Sequence, residues 1–168
     1  MDTGNLGRGA LIAGVSGVLL FIFMFLGWYG LGGPADELIE QAQQAAEQLG
    51  VQGPESADTT ANAWESFDFV DLILLLAVIV AVAFAAIELT GASVSLPVAM
   101  SAATAGIGGL AFLLVLYRLI NPPGEGDIDR EIGIYLGLLA TAGITVGGYL
   151  GMQEEGTSFS AEGNRLSG

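Results

Sequence analysis

Hydrophobic positions in this chain come in long unbroken runs instead of alternating with polar ones. Residues 10–31 (ALIAGVSGVLLFIFMFLGWYGL) carry no charge at all. Residues 69–89 follow with only Asp71 near their start and Glu88 near their end. Residues 97–120 and 132–152 make two further runs. Each holds about twenty residues, enough at about 1.5 Å per residue to cross about 30 Å of hydrocarbon as one helix. The pattern predicts an all-α membrane protein, with four transmembrane helices in an antiparallel bundle. For residues 10–31 a signal peptide is the competing reading, but Gly33-Pro34-Ala35 makes a poor cleavage site and favours a retained helix.

The polar stretches divide the chain. Residues 1–9 form a short lead containing Arg8, and 32–68 a long acidic outer loop. Within that loop Pro34–Leu49 sets Leu38, Ile39, Ala42, Ala45, Ala46 and Leu49 at helical spacing, with proline at the first turn and Gly50 at the stop. This predicts a short amphipathic helix with a thin, alanine-rich apolar face. Residues 90–96 read as a tight turn, 121–131 as a second acidic outer loop and 153–168 as a disordered tail. Asp68 stands where an N-cap belongs, with Asp71 in the first turn behind it. Pro97 opens the third span, and Asn121-Pro122-Pro123 ends it because proline cannot continue a helix.

Composition sharpens the class. Of 168 residues, 52% are hydrophobic and only 13% charged, where soluble domains carry about 25%. Eighteen acids face four arginines, giving a net charge of −14, with no lysine, histidine or cysteine. That balance offers no footprint for nucleic acid and no basic patch for anionic lipid headgroups. Disulfides and thiolate chemistry are excluded, and zinc, haem and acid–base sites lose their usual ligands. No cofactor or metal constellation is visible, and no nucleophile–base pair.

Alternating spans place both termini on one side. Trp28, Tyr29, Trp64 and Tyr117, together with Phe67 and Tyr135, then fall at the opposite face, as an interfacial aromatic belt would require. Arginines divide evenly between the two sides, Arg8 and Arg165 against Arg118 and Arg130. Arg8 flanks the first span and so favours cytoplasmic termini in the plasma membrane.

Three features carry candidate chemistry. Asp71 and Arg118 lie at similar depth and form a candidate structural ion pair; the alternatives are that Asp71 serves its helix start while Arg118 snorkels, or that both serve transport. Glu88 sits at the far end of the second span, where an acid ordinarily reaches the headgroups. Gly133, Gly137, Ala140, Gly143, Gly147 and Gly151 repeat every three or four residues and make one small-residue face. That face suits close helix packing inside the bundle, or a homodimer contact.

With those residues placed, the chain resembles uncharacterised four-helix integral membrane proteins of actinobacteria and related bacteria. The likeness rests on Phe25-Leu26-Gly27-Trp28-Tyr29 at the exit of the first span, and on Ala63-Trp64, Phe67, Asp71 and Leu74 at the entry to the second. Leu116-Tyr117-Arg118-Leu119-Ile120-Asn121-Pro122-Pro123 and Gly133-Ile134-Tyr135-Leu136-Gly137-Leu138 complete it. It implies the four-span architecture and no particular activity. The expected function is that of a non-enzymatic accessory, scaffold or envelope-associated subunit, embedded in the lipid bilayer and acting through protein contacts within a homo-oligomer or larger membrane complex. The rival is a transporter or channel component using Asp71, Arg118 and Glu88.

Overall fold

A computed structural model describes residues 7–31, 34–50, 60–66, 69–92, 98–123 and 128–167. In chain order the elements are α1 (Arg8–Phe23), β1 (Gly27–Leu31), α2 (Pro34–Leu49), β2 (Thr60–Asn62), α3 (Ala63–Ser66), α4 (Val70–Thr90), α5 (Met100–Ile120), β3 (Ile128–Arg130), α6 (Ile132–Glu154) and α7 (Phe159–Ser167). The protein is mostly helical. Helices α4, α5 and α6, of 21, 21 and 23 residues, are each long and apolar enough to cross a membrane. Helix α1 has 16 residues, about 24 Å of rise, and is apolar apart from Arg8 and Ser16.

Helix α1 packs against α4 and α6, and α5 also lies against α4 and α6. Small residues set these distances. A Cβ built on Gly147 would lie 2.5 Å from the Ala13 backbone nitrogen, and one on Gly108 would lie 2.9 Å from that of Thr145. Phe84 of α4 reaches across to Gly151 of α6, where a Cβ would stand 2.6 Å from the ring. Larger side chains point outward instead, among them Val15, Leu72, Leu113 and Leu139, all at least half exposed. Both faces of these helices are thus apolar: Leu20, Leu74, Phe84 and Ile144 are buried, with glycine and alanine at the closest helix approaches.

The end of α1 departs from the expectation for residues 10–31. The helix stops at Phe23, Leu26 N–H turns back to Phe23 C=O at 3.1 Å, and residues 27–31 form a strand. Hydropathy misread this stretch because an apolar strand and an apolar helix end have the same composition; what decides is the ladder available to it. Strand β1 is the centre of a three-stranded antiparallel sheet in the order β2-β1-β3. Tyr29 pairs with Ala61 on one side and Arg130 on the other. The polar stretches between the apolar runs therefore contribute β2, α3 and β3 to a folded cap.

Other boundaries also move. Helix α6 runs on to Glu154, and residues 159–167 are helical where a disordered tail was expected. Helix α5 begins at Met100; Pro97, Asp68 and Phe67 lie outside the described residues. Gly91 ends α4 in the left-handed region at φ 62°, a conformation that side chains rarely adopt.

Candidate functional site: the two ends of the helix cluster

At one end the sheet closes over α5. A helix carbonyl normally accepts the N–H four residues on, but Pro122 and Pro123 have none to offer Arg118 and Leu119. Side chains from the sheet take their place. The Tyr29 hydroxyl donates to Arg118 C=O at 2.8 Å, and Arg130 Nε donates to Leu119 C=O at 2.7 Å. Arg130 also reaches Ile120 C=O at 3.5 Å. Burial pushes the Tyr29 hydroxyl up to about 12, against the opposing fields of Arg118 and Arg130. The phenol stays protonated and so remains a donor over the whole physiological range.

Trp28 and Tyr29 correct the expectation of an interfacial belt. Trp28 is fully buried and Tyr29 is 4% exposed. Neighbours on a regular strand point to opposite faces, but the pairing of β1 with β2 slips by one residue between Gly27 and Tyr29. That bulge re-aims Trp28, so that both rings turn inward. The indole lies on the glycine face of α6, where a Cβ on Gly137 would sit 2.6 Å from the ring, and its Nε1 donates to Phe23 C=O at 2.8 Å. Trp64 is half-buried beside Phe25, ring centroids 5.9 Å apart. Among the described residues its Nε1 has no hydrogen-bond partner. Tyr117 is 58% exposed on the last turn of α5.

Asp71 lies in the first turn of α4, 9% exposed, and its Oδ1 accepts the Leu72 N–H at 2.8 Å. Arg118 stands in the last turn of α5, which packs on α4. Asn62 and Glu65 form a reciprocal capping box at the start of α3: Asn62 N–H donates to Glu65 Oε2 and Glu65 N–H to Asn62 Oδ1, each at 3.1 Å. The spacing Asn-x-x-Glu is itself a helix-start signature.

The other end is finished by carboxylates. Glu154 Oε1 accepts the Arg8 N–H at 3.0 Å, capping α1 from the end of α6. The adjacent Glu155 accepts the Ser101 hydroxyl in the first turn of α5 at 2.5 Å. Glu88 lies beside them, lining a cavity of about 230 Å³ with Phe84 and Gly151. Asp71 and Glu88 are thus about 25 Å apart along one helix.

Between the two ends the buried side chains are Ala, Leu, Val, Phe, Ile and Met, with Ser101, Thr104 and Thr141. The threonine hydroxyls bond their own helices, Thr104 to Met100 C=O at 2.8 Å and Thr141 to Gly137 C=O at 3.0 Å. Their protons are occupied. The Ser16 side chain lies against Gly143. Among the described residues no group of three His, Cys, Asp or Glu side chains is arranged to hold a metal. The chain matches no protein-family model, no curated protein and no solved structure.

Proposed function

We propose that the protein is a multi-pass membrane subunit that acts through contacts with other proteins and performs no chemistry of its own. Helices α1, α4, α5 and α6 cross the bilayer as an antiparallel bundle, with the termini in the cytoplasm and the sheet on the opposite side. The observation that carries this reading is the filled middle of the bundle. An ion crossing it would need polar groups or water in place of its hydration shell. The described interior offers apolar side chains and the hydroxyls of Thr104 and Thr141, already bonded to their own helices.

The transporter reading would use Asp71, Arg118 and Glu88, but these charges stand at the two ends of the bundle. Purified protein in liposomes should show no proton or cation flux above empty vesicles, with or without an imposed potential. Flux abolished by Asp71→Asn or Glu88→Gln would overturn the accessory reading. Orientation is tested by introducing single cysteines at Gln48 and Ser160, both exposed, and treating intact cells with an impermeant thiol reagent. Labelling at Gln48 alone is expected. Labelling at Ser160 alone would invert the orientation, and labelling at both would break the four-span arrangement.

A further inference from the structure

The way α6 ends fixes the level at which α7 begins. Gly156 lies in the left-handed region at φ 67°, and its N–H returns to Gln153 C=O at 3.2 Å. The next N–H, of Thr157, returns to Met152 C=O at 2.8 Å. This paired closure of a helix end folds the chain back against the last turn of α6. Only Ser158 then separates the tied residue from Phe159, the first of α7.

That level is the edge of a bilayer. Helix α6 rises about 34 Å over its 23 residues, against about 30 Å of hydrocarbon, so a centred span overhangs by about 2 Å at each end. Met152 therefore stands close to the hydrocarbon edge on the termini side, and α7 starts in the headgroup layer. The outward side of α6 stays apolar almost down to it, with Val146 and Tyr149 each half exposed.

Helix α7 has a face suited to that layer. Phe159, Gly163 and Leu166 follow at intervals of four and three, which places them on one side of a helix. Phe159 is 55% exposed and Leu166 66%, and a Cβ on Gly163 would meet nothing within 4 Å. Asn164 falls on another side of the same helix. One acid, Glu162, and one base, Arg165, leave α7 without net charge, so phosphates neither draw nor repel it. An open apolar side on a neutral helix beside the hydrocarbon edge finds its cover in acyl chains a few ångströms away.

We propose that α7 lies along the bilayer surface on the termini side, with Phe159 and Leu166 among the acyl chains and Asn164 toward water. The proposal rests on α6 being a membrane span. It deepens the accessory reading by making the tail part of the membrane-bound body.

The chain has no cysteine, so one nitroxide can be attached to the full protein at Gly163→Cys or at Asn164→Cys. Each labelled protein is reconstituted in phosphatidylcholine vesicles and floated. Collisions of the nitroxide with oxygen, which concentrates in hydrocarbon, are then compared with collisions with a water-soluble nickel chelate. The oxygen-to-nickel ratio at Gly163 should exceed that at Asn164 severalfold. Adding Phe159→Ser and Leu166→Ser, two exposed changes, should abolish the excess and leave the elution volume in detergent unchanged. Equal ratios at the two positions, or an excess that survives both serines, overturn the interfacial helix. A Gly163 label shielded from both reagents would place the face on the bundle itself, and spin–spin broadening there would assign it to a second copy. Either result overturns the proposal. Failure to float would defeat the span reading beneath it, whereas flotation with Gly163 open to nickel defeats the placement of α7 alone.

Discussion

The two ends of the helix cluster finish their backbones in opposite chemistries. Under the sheet, the orphaned Arg118 carbonyl is taken by the buried Tyr29 phenol, 89 positions away, while the Leu119 carbonyl takes the exposed Arg130 guanidinium from the following strand. At the termini end, orphaned N–H groups of α1 are taken by Glu154, an exposed carboxylate from the last turn of α6. The difference follows from solvent. A carbonyl held under a folded cap has only protein donors to turn to, so its partner must be built in and stay protonated. An N–H at an open rim can exchange its carboxylate for water at small cost. The capped end should therefore be the more sensitive to single substitutions, and the open rim the more forgiving.

The largest effect belongs to the glycine face of α6, which joins both ends. Gly137→Leu would drive a side chain into the Trp28 indole under the cap, and Gly147→Leu into the Ala13 backbone nearer the rim. Overpacking typically costs about 1–3 kcal/mol, and more where backbone must move. Both variants should lose folded yield in gel filtration after detergent extraction. Gly106→Leu is the control, since a Cβ there meets nothing within 4 Å. A folded monomer from Gly147→Leu, set against a wild-type dimer, would make this face an association surface.

Second in size is the cap itself. Tyr29→Phe strands the Arg118 carbonyl and should cost about 1–3 kcal/mol in reversible unfolding. Pro122→Ala restores an N–H four residues beyond Arg118, so the double variant should recover part of that loss. Additive costs would deny the exchange of hydroxyl for amide. Alkali offers an independent check. The folded phenol, pushed up to about 12, stays protonated where the unfolded one ionises near 10. Its contribution is intact below about pH 10 and is lost as pH rises toward 12. Tyr29→Phe should remove that part of the alkaline loss.

These partnerships explain what could be read from the chain and what could not. The runs that become α4, α5 and α6 are visible because length and apolarity alone specify a helix of that kind. The glycine spacing shows that α6 has a smooth face but not what rests on it, because Gly137 and Trp28 meet only through the fold. Pro122-Pro123 announces two carbonyls without donors, yet nothing local names Tyr29, 89 positions from Arg118, as the answer. Strand β1 was hidden for a different reason. It continues an apolar run without a break, and its three-residue partners are too short to show alternation. The capping box at Asn62 and Glu65 was legible and marks where β2 gives way to α3.

A smaller effect is expected from Asp71 and Arg118, both at the capped end. If the buried carboxylate and the guanidinium share their field, Asp71→Asn and Arg118→Gln should couple by about 1 kcal/mol in a double-mutant cycle. Strict additivity would assign Asp71 to its own helix start alone.

The smallest effect, and the sharpest contrast with Tyr29→Phe, lies at the rim. Gly7, the N-cap of α1, makes no side-chain capping bond, so the first turn depends on Glu154 from α6. Losing a helix cap costs about 0.5–2 kcal/mol, and exposure places this one at the low end because water can replace the carboxylate. Glu154→Gln keeps an oxygen acceptor but loses the charge that favours the positive end of α1, so it should fall between wild type and Glu154→Ala. Added salt should narrow the gap between wild type and Glu154→Gln, since charge at an exposed rim is screened. The cost of Tyr29→Phe, buried under the sheet, should be the same in low and high salt. If Glu154→Ala instead destabilises the protein as much as Tyr29→Phe does, the rim is as rigidly built as the cap, and the contrast between sheltered carbonyls and open N–H groups fails.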